Sequence, residues 1–452
     1  MEKIRTVAET LAILHQYHHP LGLERQPKQL KTSDFDGPVI FSNDPETATV
    51  PPAFFTVQTI QELKALNGVP DSRYGSGKMA PYHPLPEPFS AERLANVPAN
   101  HIDLCKAFRA YIYGDSALVK DYEEILNAKR FPMKIALYSG DEITITANNP
   151  LIIKDKDQSD EPIFLVYDRI TIGPEGKVIC CANGRIEANV IQGAESGPQL
   201  FISKGLDGAF GANGVAGSRG ADGVDGSPGR QDKHACTVST SSGSDGIIGT
   251  QGARGADGEP GGLSAQLKVV CTHVVGEIKL WSVGGDGGRG GNGGTGGNGG
   301  KGGDGGYGSL YGGRLNYIGD ETLCKAAKGG DGGDGGNGGD GGNGGRSGDG
   351  GNIDFSYSTG QPIFSSWSAP GFVAPGGKGG YGGKGGDGGI GDIVYSADGY
   401  VSQDVSNSGK AGRRGIAGSQ GGRGGQGLVY VNGKLSELKT KVFPKEELFG
   451  NG

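Results

Sequence analysis

No run of apolar residues in this chain approaches the roughly 20 needed to cross a bilayer as a helix, which argues against a helical membrane span. The N-terminus lacks an apolar core as well. Glu2, Arg5 and Glu9 interrupt it, so it does not read as a secretory signal peptide. Basic charge is not in excess: 43 Lys and Arg against 50 Asp and Glu leave a net charge of −7, with no broad cationic footprint for nucleic acid. The six cysteines (Cys105, Cys180, Cys181, Cys236, Cys271 and Cys324) contain no CxxC pair and, with no leader, read as free thiols. Apolar residues make up only 34% of the chain, so much of it must be held together by something other than an aliphatic core.

Glycine is what the chain has instead. Of 91 glycines among 452 residues, 76 lie between Gly205 and Gly427, and the remainder of the chain has ordinary glycine content. Two compositions are therefore joined in one polypeptide.

Residues 1–130 read as an α-helical region with Pro-rich connectors. Ile4, Val7, Leu11 and Leu14 form one stripe at helical spacing. Thr59 and Glu62 make a capping box before Ile60, Leu63 and Leu66, and Asn67-Gly68 ends that helix. Two more helices are predicted over 101–112 and 116–129, and 17–56 reads as an irregular wrapping segment. Over 131–204 the period changes to two. Short strands are predicted at 133–138, 142–147, 150–154, 163–172, 177–181, 185–191 and 199–203, an all-β unit that is either a sandwich or a solenoid.

From Gly205 a three-residue period takes over. Glycine recurs at every third position over 205–229, 243–261 and 409–427, and tightens to Gly-Gly-X over 284–306, 329–351 and 376–391. A period of three fits neither helix nor strand, but it matches polyproline-II geometry. Strand-like inserts at 266–275, 277–283, 353–357, 393–396 and 428–431 alternate with the tracts, and 432–452 reads as a tail. The tracts hold too little proline for collagen, and a flexible linker has no need of glycine at a fixed phase.

The side chains also sort by row. In 205–229 one row is glycine, the next (Leu206, Ala209, Ala212, Val215) is small and mostly apolar, and the third is mostly polar. That predicts an edge rod packed on two sides. The Gly-Gly-X tracts carry one polar row each, Asp286 to Asp304 and Asp331 to Asn343, and read as central rods. A polyproline-II rod has no internal hydrogen bonds, so its N–H and C=O groups must pair with neighbouring rods. The reading is a polyglycine-II lattice with interspersed β-strands over 205–431. Gly294, Gly297, Gly336, Gly339 and Gly380 are its structural glycines.

These interrupted Gly-Gly-X tracts, joined by short variable segments, resemble the glycine-rich domain of phage tail-fibre tip adhesins. The resemblance covers 205–427. It implies packed polyglycine-II rods whose connecting loops face a cell-surface receptor, protein or glycan. It also implies attachment to a fibre or particle, here through the N-terminal half.

Other chemistry is thin. His15, His18 and His19 share a helix face without an acidic partner, and read as a helix end rather than a metal site. Aspartates one turn apart in a tract are about 9 Å apart along its axis, too far for one ion, and read as a solvated row. Cys180 and Cys181 read as structural residues on opposite faces of a strand. The inserts 307–323 and 360–375 combine Tyr307, Tyr311, Tyr317, Phe364, Trp367 and Phe372 with Gly, Ser and Asn, the composition of a contact loop. The expectation is a non-enzymatic receptor-binding protein without metal or cofactor, made in the cytoplasm and acting outside the producing cell. The alternatives are a bacterial, even insecticidal, protein toxin, and a structural or ice-binding protein.

Overall fold

A computed structural model of the chain describes residues 4–81, 85–156, 160–194, 199–232, 234–308, 324–395 and 401–438. Sheet dominates, with 27% strand against 15% helix. The N-terminal region is mixed rather than helical. Helix α1 (Val7–His18) opens on a capping box in which Thr6 and Glu9 each accept from the other's backbone N–H. Strands β1 (Gln29–Lys31), β2 (Val39–Ser42) and β3 (Ala53–Val57) follow, inside the segment that reads as irregular. They are short and sit among prolines, and their partners lie about a hundred residues downstream: Leu30 opposite Ile143, Val39 opposite Leu151 and Phe55 opposite Ile135. Local pattern carries no sign of such pairing. Helix α2 (Ile60–Asn67) starts at Thr59 and stops at Gly68 as predicted. Helices α3 (Ala91–Leu94), α4 (Ile102–Tyr113) and α5 (Glu123–Arg130) complete the group. The helix expected over 116–129 is broken. A 3-10 turn over Ser116–Tyr122 departs from helical geometry at Val119, and both Val119 and Tyr122 are buried.

The choice between sandwich and solenoid is settled by strand direction. The chain passes back and forth through β4 (Met133–Ile145), β5 (Leu151–Lys154), β6 (Ile163–Ile172), β7 (Lys177–Cys180), β8 (Gly184–Gly193) and β9 (Gln199–Lys204). After a small hairpin, β10 (Arg230–Gln231) and β11 (Cys236–Val238), it resumes with β12 (Leu267–Val275), β13 (Glu277–Val283), β14 (Ile353–Gly360) and β15 (Ile363–Ala369). A second hairpin, β16 (Ile390–Tyr395) and β17 (Val401–Val405), precedes β18 (Val429–Val431) and β19 (Lys434–Leu435). One sheet has the order β1-β4-β6-β8-β12-β14-β18-β19, and the facing sheet has the order β15-β13-β9-β7-β5-β2. Successive rungs pair in parallel in both sheets. This is a flattened solenoid.

Identical register stacks like on like. Leu165, Ile186, Val269, Phe355 and Val431 stand opposite one another across five rungs. They belong to a core shared by both sheets, with Ile153, Phe201, Ile278 and Leu280 from the facing side. The helices cover the outer face of the first sheet, where Leu63, Phe108 and Leu126 meet Ile135, Leu137, Phe164 and Val166.

The glycine tracts grow out of this solenoid. β9, β13 and β15 run into the first, third and fifth tracts. The second, fourth and sixth lead into β12, β14 and β18. Strands on either side of residue 204 therefore share both sheets. The strand register continues into the tracts: Lys204 stands opposite Val283, and the Gly205 N–H then donates to the Val283 carbonyl at 2.9 Å.

Hydrogen bonds recur at every third residue. The first tract donates to the third, the second to the fourth, the third to the fifth and the fourth to the sixth, in parallel; consecutive tracts bond antiparallel. One ladder crosses all six: Gly415 to Gly380, Gly380 to Gly339, Gly339 to Gly294, Gly294 to Ala253 and Ala253 to Val215, each at 2.8–2.9 Å. At the junction with the sheets, buried Ser203, Ser264 and Ser282 bond one another, and Ser282 donates to the Gly351 carbonyl at 2.6 Å.

One row differs from expectation. The second row of the first tract is not packed. Val215 is 75% exposed, and Ala209, Ala212 and Ala221 are exposed as well. The neighbouring tract meets this row through backbone bonds such as Ala253 N–H to Val215 C=O, which leaves the side chains pointing outward.

Candidate functional site

The two aromatic inserts have different fates. Tyr307 ends the third tract with its ring exposed, while its carbonyl accepts from Gly229. Tyr311 and Tyr317 lie outside the described residues. The second insert is not a single loop, because its middle is β15, paired in parallel with β13. Phe364 packs on the core, 5.0 Å from Phe355. Trp367 makes an edge contact with Trp281 at 5.7 Å, beside Leu200 and Ile202. The serines that lend the segment its loop-like composition are buried: Ser366 bonds Ser436, and Ser368 accepts from the Gly427 N–H. Phe372, beyond the strand, is 55% exposed, and its N–H is held by Asp286. Of the six aromatics, Tyr307 and Phe372 are thus exposed, and Phe364 and Trp367 serve packing.

The five glycines assigned to packing sit where backbones touch. A Cβ on Gly294, Gly297, Gly336, Gly339 or Gly380 would lie 1.9–2.0 Å from a carbonyl oxygen of the next tract. The polar row beside them has a function that sequence reasoning missed. Asp286, Asn292, Asn298 and Asp304 each accept the outward N–H of the fifth tract, from Phe372, Lys378, Lys384 and Ile390. Asp331, Asp334, Asn337, Asp340 and Asn343 do the same for the sixth. Asp and Asn fill this row because their short acceptors reach one tract across. The signal was visible as Asp/Asn at a fixed phase.

A second feature escaped sequence analysis. Cys236 and Cys324 form a disulfide with Cα atoms 5.0 Å apart, tying the loop after the first tract to the start of the fourth. The free-thiol expectation holds for Cys105, Cys180, Cys181 and Cys271 and fails for this pair, which is 88 residues apart in sequence.

A cleft of about 210 Å³ opens where α4 meets the roots of the first two tracts. Cys105, Lys106, Arg109, Asp160, Cys181 and Leu206 are among its walls. Arg109 pairs with Asp160, which also accepts from Asn183 at 3.1 Å. Burial, with the Asp160 charge nearby, pushes the Cys105 thiol up to about 12, so it is not a thiolate nucleophile at neutral pH. The histidines of α1 are not brought together: His18 is buried against Phe55, with Nδ1 3.1 Å from the Thr56 carbonyl, whereas His15 and His19 are exposed. Among the described residues, no group of three His, Cys, Asp or Glu is placed to hold a metal, and no helix is long and apolar enough to cross a membrane. Comparison with family models, curated proteins and solved structures finds no match to this chain.

Proposed function

We propose that the six tracts form a polyglycine-II lattice and that the chain is a non-enzymatic, adhesin-like receptor-binding protein built on it. The observation that carries this reading is how the array divides its labour. Backbone groups of the tracts bond between tracts, the Asp/Asn rows add side-chain acceptors, and the other side chains are turned outward, outside the bonds that hold the frame. Large apolar groups stand in the open as a result: Phe210 is 80% exposed, Ile248 65%, Tyr381 66% and Ile416 75%. With the backbone beneath them already fixed, a partner that binds these groups has side chains to order and no loop. Tyr307 and Phe372 are the aromatic contacts of choice, and the disulfide suits action outside a reducing compartment. The N-terminal half is the attachment side.

The test incubates labelled protein with bacterial cells, with insect cells and with lipid vesicles. Saturable cell binding without vesicle leakage is the expected result, and leakage overturns it in favour of a toxin. Tyr307→Ala and Phe372→Ala should each weaken cell binding, by about 2 kcal/mol at a central contact, with the melting curve unchanged. Trp367→Ala should instead lower the melting temperature, because Trp367 supports Trp281.

A further inference from the structure

The charges on the tracts are not spread evenly. The first and second tracts carry two cations and six acids: Arg219 and Arg254 against Asp207, Asp222, Asp225, Asp245, Asp257 and Glu259. The fifth and sixth reverse this, with Lys378, Lys384, Lys410, Arg413, Arg414 and Arg423 against Asp387 alone. In a chain of net charge −7, one edge of the array is strongly basic.

Pairing sharpens the contrast. On the first four tracts, several cations are neutralised by an aspartate one turn along: Arg219 by Asp222 at 2.5 Å, Arg254 by Asp257 at 2.6 Å, Lys301 by Asp304 at 3.7 Å and Arg346 by Asp349 at 3.0 Å. The sixth tract has no acid in which to repeat this. All six cations of the basic edge are exposed. The two tracts are joined at their margin, where the Arg414 guanidinium lies 4.6 Å over the Tyr381 ring and its Nε donates to the Gly379 carbonyl. At about 3.1 Å per residue, the cations from Lys410 to Arg423 mark an edge of about 40 Å.

Resting on the receptor-binding reading above, we infer that this edge binds an extended anionic polysaccharide, with its carboxylates, sulfates or phosphates lying along Lys378, Lys384, Lys410, Arg413 and Arg423. The partner is linear because the tracts that carry the cations run straight, with backbone pinned at every third residue, and spread them along that length on more than one row, Lys410 and Arg413 on one and Arg414 and Arg423 on the next. It is anionic because the fifth and sixth tracts themselves carry six exposed cations to one acid. The fourth-tract carboxylates beside them, Asp331, Asp334 and Asp340, each already accept a backbone N–H of the sixth tract or its lead-in. A single-stranded nucleic acid fits less well: base stacking needs open aromatic faces, and Arg414 already covers one side of Tyr381. The disulfide points the same way, to an oxidising environment where acidic glycans are the prevalent linear polyanions.

The experiment measures binding of the intact, disulfide-bonded protein to immobilised dextran sulfate and polygalacturonate, with neutral dextran and a single-stranded oligonucleotide as comparisons. Binding to both acidic polymers that weakens steeply as salt rises past about 0.15 M is expected, with none to neutral dextran. The triple variant Lys410→Glu, Arg413→Glu, Arg423→Glu should lose about tenfold or more in affinity. Its Gln counterpart should lose less, and both should keep the wild-type melting curve. Arg219→Glu with Arg254→Glu, on the acidic edge, should bind as wild type does. Equal binding by the triple variant, tighter binding to the oligonucleotide, or salt-sensitive self-association through this edge would each overturn the inference. If the triple variant still binds cells, the glycan assignment falls and the receptor reading stands. If wild type binds no cells, the receptor reading falls, and the purified polymers still decide the glycan question.

Discussion

A single atom separates the two kinds of position in the tracts. At Gly339 a Cβ would stand 2.0 Å from the Ala253 carbonyl oxygen, in a site walled by backbone rather than by side chains that can move. Gly339→Val should therefore push neighbouring tracts apart and break the ladder through Gly294, costing about 4 kcal/mol or more, the range of severe core substitutions. Asn298 is a different case. The residue looks like a solvated member of a polar row, yet its Oδ1 takes the Lys384 N–H at 2.9 Å. Asn298→Ala should cost about 0.5–1.5 kcal/mol, one exposed hydrogen bond, and Asn298→Asp should cost less than Ala. Thermal or denaturant unfolding of the three variants checks both statements; an equal loss at 298 and 339 would contradict this account of the rows.

Among the elements, the excursions are the units with most to gain from a covalent tie. Each leaves one sheet, runs out, and returns in the other. The Cys236–Cys324 bridge joins the distal turn of the first excursion to the incoming fourth tract, closing a loop of 88 residues. In the chain-entropy account such a loop is worth about 4–5 kcal/mol against the unfolded chain. Cys324→Ser, or reduction of the wild type, should lower stability by up to that amount, and labelling of Cys236 by a thiol reagent reports the bond directly. β15 teaches a related lesson about sequence. Ile363–Ala369 has the Ser-rich composition of a loop, and it is a strand because β13 offers a parallel partner and its buried serines find acceptors and donors at the junction. Composition describes what a segment prefers alone; pairing decided this one.

At the scale of the whole molecule, sheets and tracts share one stacking axis. Each rung after β9 contributes a strand to both sheets and a pair of tracts to the array, so that rung-to-rung bonds and tract-to-tract bonds form together. Repeat stacks of this kind derive stability from nearest-neighbour interfaces. Here those interfaces are continuous from β8 through β18 and from the first tract to the sixth. Calorimetry should show the solenoid and the glycine-rich segment melting in a single transition. Trypsin should be slow at Arg254 and Lys301 until that temperature. Two separated transitions, or rapid cleavage at those sites in the cold, would show that the segment is merely appended.

The sequence alone determined the period of three and the glycines that lie against backbone, because bare Cα atoms at a fixed phase let backbones approach; the bonding of the fifth tract begins earlier than its glycine repeat, at Gly371 and Phe372. It also determined α1, α2, α4 and most of the strands, whose signals lie in caps and in two-residue alternation. Only the tertiary structure decided which tract neighbours which, that the strands of both halves share two sheets, and that Cys236 meets Cys324. It likewise decided that Phe364 and Trp367 face packing neighbours while Phe372 faces outward, and that the cations of the last two tracts gather on one edge. Those are contacts between residues tens to hundreds of positions apart. They follow from the stacking order of rungs, which no local pattern encodes.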